Sequence, residues 1–133
     1  GRRGDRGARP APARGRPVVT SRLLLTGISA SGHHGANPGE KDRAQDFVVD
    51  LDVEVEVGDD ELASTADYRT LIRTARETVG RDSLDLLESL AHAVANEVLA
   101  LDGVVKVRAI VHKPGAARSN EIEGVAAAAT AER

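Results

Sequence analysis

The chain has 133 residues, enough for one domain, with no Cys, Met or Trp, one Phe and one Tyr. Those absences exclude a disulfide framework, thiolate-bound zinc, iron–sulfur clusters, a cysteine nucleophile and an aromatic platform for single-stranded nucleic acid. The formal charge is −3, unevenly spread: the first 17 residues carry six Arg against one Asp, leaving the remainder about −8.

Residues 1–17 are Arg, Gly, Pro and Ala with no apolar period, and are expected to form a disordered tail preceding a folded domain over 18–133. No apolar run approaches the ~18 residues of a membrane span, and no charged start leads into the apolar core of a signal peptide, so no membrane partner is expected.

Arg22 to Thr26 is a short β-type run ending near Gly27. Gly32-His33-His34-Gly35-Ala36-Asn37-Pro38-Gly39-Glu40 follows as a Gly-rich connection without a phosphate-loop pattern. From Phe47 to Val57 apolar residues alternate with Asp50, Asp52, Glu54 and Glu56, the period of a strand with one apolar and one acidic face.

Tyr68, Leu71, Ile72, Ala75 and Val79 recur at helical spacing, with Ser64, Thr65 or Asp67 as N-cap and Gly80 as the stop. Leu87, Leu90, Ala91, Val94 and Val98 mark a second helix, capped by Asp82 or Ser83. Val104 to Lys113 alternates again, and Val125 to Thr130 is a weak last strand because its alanines have poor β-propensity.

The order β-β-α-α-β-β predicts an α+β fold, an antiparallel sheet with two helices on one face. If the second and third strands are neighbours, their acids either pair with Lys106 and Arg108 or form a solvated face.

Chemistry concentrates at three places: the 32–40 loop with its two His and Glu40, the start of the second helix at Leu86-Leu87-Glu88, and His112-Lys113-Pro114 at a strand end. A lysine beside apolar surface suits acid/base work. His33, His34, His92 and His112 show neither HxH nor HExxH spacing, so no metal is expected.

Taken together, Gly32-x-His34-Gly35, Glu40, Gln45-x-Phe47-x-Val49-Asp50-Leu51, Leu62-Ala63-x-Thr65-x-Asp67-Tyr68, Leu86-Leu87-Glu88-Ser89-Leu90-Ala91 and Val111-His112-Lys113-Pro114 resemble dihydroneopterin aldolases over residues 20–125. The resemblance implies the tunnelling fold, whose subunits join into an oligomeric barrel, a tetramer or a homo-octamer with active sites between subunits. It implies a cytoplasmic lyase of folate biosynthesis that cleaves a pterin substrate by retro-aldol chemistry with no cofactor, metal or Schiff base. Carried over by position, Lys113 is the acid/base, Glu40 contacts the substrate's side-chain hydroxyls and helps shape the proton network, Tyr68 from a neighbouring subunit assists proton transfer at the cleaved product, and Glu88 with the Leu87 backbone holds the pterin ring. His34 is expected to be structural.

Alternative readings are an epimerase acting on dihydroneopterin or its triphosphate, and an idle tunnel-fold scaffold. A nucleic-acid partner for the basic tail is the weakest reading. After Lys113-Pro114 the chain has Gly115-Ala116-Ala117-Arg118, where many members have Ala-Pro-Ile.

Overall fold

The alternation read between Phe47 and Val57 sets the centre of the molecule. In a computed structural model, which describes residues 19–57, 66–81 and 83–133, Phe47, Val49, Leu51, Val53 and Val55 are all buried, while the residues between them are half-buried on the other face. This strand, β2 (Gln45–Glu56), lies between β1 (Thr20–Gly32) and β3 (Val104–His112), and β4 (Ala126–Glu132) completes a wholly antiparallel sheet in the order β1-β2-β3-β4.

Helices α1 (Tyr68–Arg81) and α2 (Leu87–Leu99) cover the apolar face, α1 against β1 and α2 against β3 and β4. Leu71, Ala75 and Val79 of α1 and Leu90, Ala91, Val94 and Val98 of α2 meet the strand valines in one core. Full burial of each such Val or Leu side chain stabilises by about 1.5–3 kcal/mol, so this mainly aliphatic layer carries the fold with Phe47 as the one aromatic in its core cluster.

Several expected boundaries are corrected. β1 does not stop near Gly27 but runs to Gly32 through a bulge, at which the register steps from Leu25↔Leu51 to Ile28↔Val49 and Gly27 adopts φ 76°. Helix α1 continues past Gly80 to Arg81. Asp67 does serve α1, accepting the Arg69 N–H at 3.0 Å, whereas Ser64 and Thr65 lie outside the described residues.

Ser83 does not cap α2. Its hydroxyl donates to the His33 carbonyl at 2.5 Å, and the N-cap position is Leu86, with no capping side chain. Asp82, the other expected cap, and the tail assigned to 1–17 are outside the described residues.

β3 ends at His112, and Lys113 is the N-cap of a short helix that periodicity did not reveal, α3 (Pro114–Ser119), with Pro114 at its first position. α3 packs against β2 on the face opposite α1 and α2, beside Val48, Asp50 and His112.

The alanine-rich segment forms a full strand despite its propensities. Seven pairs join β4 to β3, and its small inward side chains lie under α2. Tertiary packing decides the matter where local preference is weak.

The acidic row of β2 does face β3. Asp52 lies opposite Arg108 and Glu54 opposite Lys106, but the hydrogen-bonded partner of Asp52 is Arg22 of β1, which holds that carboxyl below the usual range.

Candidate functional site

One end of the sheet collects the end of β1, the start of β2, the end of β3 and the start of β4, as the pairs Gly32↔Gln45, Val48↔His112 and His112↔Ala126 show. The C-terminal end of α1 is there too, because the Val79 carbonyl contacts His34. So is the start of α2, because Gly35 donates its N–H to Leu84 O at 2.9 Å. Four of the five expected site residues therefore belong to this end: Glu40, Leu87, Glu88 and Lys113.

Glu40 and Lys113 are brought into direct contact across 73 residues of chain. Lys113 Nζ donates to Glu40 Oε2 at 2.7 Å, with side chains only 14% and 16% exposed. The other oxygen, Oε1, accepts the Asn37 N–H at 2.9 Å. The Lys113 bond first, and the Asn37 N–H second, hold the Glu40 carboxyl below the usual glutamate range.

The loop bearing Glu40 is built tightly. After Gly39 in a left-handed conformation, Glu40–Asp42 makes one 3₁₀ turn. Gly35 (φ 150°) passes so close to Glu40 that a β-carbon would enter the carboxylate's space.

His34 is buried, as its expected structural role requires. Its Nε2 lies 2.6 Å from the Val79 carbonyl and its Nδ1 accepts the Leu84 N–H at 3.1 Å. An acceptor at Nδ1 and a donor at Nε2 specify the Nε2–H tautomer. The ring also meets Phe47 edge-on, centroids 5.3 Å apart. Ser83 Oγ to His33 O and a Lys41–Asp85 ion pair add further ties, so the Glu40 loop is clipped to the residues leading into α2.

Sequence reasoning missed Gln45 as a site residue, although the motif contained it. Its amide donates to His34 O at 2.7 Å and to Glu40 O at 3.1 Å, so one side chain ties two points of the loop. A polar residue at the first position of an otherwise apolar strand face was the available signal.

Leu87 and Glu88 open α2. Leu87 is half-buried, whereas Glu88 is exposed and makes no hydrogen bond or ion pair with another described residue. Because Leu86 supplies no cap, the first-turn N–H groups lack that partner.

Tyr68 is not at this end. It begins α1, 52% exposed, while Val79 near the same helix's other end touches His34. At 1.5 Å per residue, the eleven steps between them separate the two by about 16 Å.

Among the described residues no three His, Cys, Asp or Glu side chains gather as a metal-holding group, and no helix is long and apolar enough to cross a membrane.

Comparison with known proteins agrees with this architecture. The family model for FolB, dihydroneopterin aldolase, matches residues 23–130. A dihydroneopterin aldolase of Streptomyces coelicolor is 37% identical over 99 residues, 71% of this chain and 83% of that protein. Dihydroneopterin aldolase 2 of Arabidopsis thaliana is 34% identical over 105 residues, 75% of this chain and 80% of that protein.

Among solved structures, the dihydroneopterin aldolase of Burkholderia thailendensis bound to guanine superposes with a TM-score of 0.70 at 25% identity, covering 86% of this chain and 92% of that one. The β-β-α-α-β-β framework, with the short α3 inserted before β4, and the antiparallel sheet are those of the tunnelling fold. With the matched segment running from β1 through β4, the chain belongs to the dihydroneopterin aldolase family.

Proposed function

We propose that the chain cleaves 7,8-dihydroneopterin by a retro-aldol reaction, giving 6-hydroxymethyl-7,8-dihydropterin and glycolaldehyde, a lyase step of folate biosynthesis in the cytoplasm. The observation that carries this reading is the enclosed Glu40–Lys113 pair at the same end of the subunit as the Leu87–Glu88 start of α2.

The chemistry requires a base, an acid and an electron sink. A proton leaves the 2′-hydroxyl, the C1′–C2′ bond breaks, and the electron pair passes from C1′ into the conjugated dihydropterin ring. Glycolaldehyde departs, and a proton returned to C1′ completes the hydroxymethyl product. Because the ring accepts the electrons, the residues need supply only proton transfer and positioning, with no metal or Schiff base.

Lys113 is the acid/base, working directly or through water. Glu40 contacts the side-chain hydroxyls and holds the lysine. Glu88 clamps the ring's guanidine-like edge with paired charge-assisted bonds, and the backbone at Leu87 braces the ring. Glu88 is exposed and without a partner among the described residues, the state expected of a side chain reserved for a ligand. The guanine bound by the Burkholderia relative has the same 2-amino-4-oxo edge as a pterin.

Tyr68 serves the site of a neighbouring subunit, since it lies at the opposite end of its own. The partner is accordingly another copy of this chain, in a tetrameric ring or an octamer of two rings.

The deciding experiment is incubation of the purified chain with 7,8-dihydroneopterin while glycolaldehyde release is followed. Turnover that Lys113→Ala abolishes supports the assignment. No turnover in an assembled oligomer rejects it.

A further inference from the structure

We propose that Asp50 and His112 form a positioning pair that fixes Lys113 from the opposite face of the sheet. Asp50 stands on the face of β2 away from α1 and α2. One of its oxygens accepts the Gly27 N–H at the β1 bulge, 2.9 Å, and the other lies 2.7 Å from His112 Nε2 at the end of β3. One carboxylate therefore ties three strands together at a single level. Burial pushes this carboxyl up, but the Gly27 N–H and the His112 bond outweigh it and leave the group below its ordinary range, so the carboxylate form is the one held.

His112 is the residue immediately before Lys113. Successive strand residues point to opposite faces, so His112 turns toward Asp50 while Lys113 turns toward Glu40. Beyond His112 the backbone leaves the sheet. Lys113 donates its N–H to Val125 O at 3.1 Å and starts α3.

On the Asp50 face a cavity of about 390 Å³ adjoins this strand end, between Val48, His112, Pro114, Ala117 and Val125. The ladder to β2 and β4 holds the backbone of this strand end, α3 covers only part of that face, and the Asp50–His112 bond is the side-chain tie that orients it. The two side chains face away from the Glu40–Lys113 pair and do not touch a substrate bound there. Their effect is on where Lys113 sits, and a misplacement of about 1 Å in a reacting group can cost on the order of a hundredfold.

The pair's link to catalysis rests on the aldolase reading above. Its geometry can be tested independently. Replacing His112 with Val removes the donor, whereas Gln places an amide N–H near the former Nε2. His112→Val should lower kcat ten- to hundredfold with KM within twofold of wild type, and His112→Gln should recover to within threefold. Asp50→Ala should lower kcat similarly, and the Asp50→Ala/His112→Val double variant should be little worse than either single.

Crystal structures of the His112→Val and His112→Gln oligomers supply a readout that needs no turnover. The Lys113 Nζ–Glu40 Oε2 contact should lengthen in the Val variant and persist in the Gln variant. Unchanged kcat in His112→Val, equal loss in the Val and Gln variants, additive losses in the double variant, or an undisturbed Lys113–Glu40 contact in His112→Val would each overturn the proposal. If Asp50→Ala fails to fold, the His112 series decides alone. If the wild-type chain shows no aldol turnover, the aldolase reading fails, while the Lys113–Glu40 contact still judges the pair.

Discussion

Gly35 and the carboxylate of Glu40 occupy adjoining space that admits no third group. A β-carbon on Gly35 would overlap Glu40 Cδ and Oε1, and the glycine's φ of 150° is itself unfavourable for other residues. Gly35→Ala should therefore displace the carboxylate from Lys113. We expect at least a tenfold loss of turnover and about 1–3 kcal/mol of stability, read from steady-state kinetics and denaturant midpoints.

Lys113→Ala should lose most activity, about a hundred- to ten-thousandfold in kcat, the usual contribution of a positioned acid/base. Glu88→Ala should act differently. With Glu88 in the proposed clamp, the substitution would remove a charge-assisted bond worth about 1.5–3 kcal/mol, so binding of 7,8-dihydroneopterin should weaken roughly ten- to a hundredfold, measured by titration calorimetry.

Tyr68 and Lys113 lie at opposite ends of one subunit, and that separation can be tested by mixing. Tyr68→Phe and Lys113→Ala chains, each impaired alone, should regain activity when refolded together in equal amounts. Random ring assembly leaves about a quarter of the sites with both native residues, so roughly a quarter of wild-type activity is expected. No recovery in mixed rings would contradict a site shared between subunits.

The pH dependence of stability follows from Glu40. Its carboxyl titrates below the usual glutamate range because of Lys113 and the Asn37 N–H. The unfolded chain thus takes up this proton first. The stabilisation is fully present above the ordinary glutamate range and is lost as pH falls through that range to the lower folded value. Urea midpoints should drop across that window, and Glu40→Gln should lessen the drop. Some acid sensitivity will remain from Asp50 and Asp52, which are shifted in the same direction.

His34→Leu removes both ring nitrogens, leaving the Val79 carbonyl without its buried bond and the Leu84 N–H without its half-buried one, at about 1–3 kcal/mol each. Thermal melting should register the loss, and Lys113 should remain in place if the damage stays within the loop.

The strands and helices were legible because their apolar residues repeat at the periods of their elements, as in Phe47 to Val57 and Leu87 to Val98. Glu40, Glu88 and Lys113 were legible through family motifs rather than through any period. What stayed hidden was set by contacts distant in sequence. Ser83 looks like a cap, yet its hydroxyl is engaged by His33, fifty residues earlier. The helix after Lys113 is too short to show a period, and the alanines of β4 become a strand only because β3 and α2 receive them. Gln45 became legible as a site residue only once His34 O and Glu40 O were seen to converge on its amide.

The bulge at Gly27 also changes which residues of β1 face the core. Before it, Leu23 and Leu25 turn inward; after it, Ile28 and Ala30 do. The extra residue thus works as a phase shift between odd and even positions. Pairing Thr26 and Gly27 as two regular strand residues, with no bulge, would present Ser29 and Ser31 to the helices and send Ile28 and Ala30 into the open. That slip would also carry the Glu40 loop one residue out of register, pulling His34 off Val79 and Leu84. Deleting Thr26 would instead restore plain alternation with Ile28 and Ala30 still inward, so it should cost the Gly27 N–H bond to Asp50 and spare the core, and the phase of β1 is held by the bulge itself.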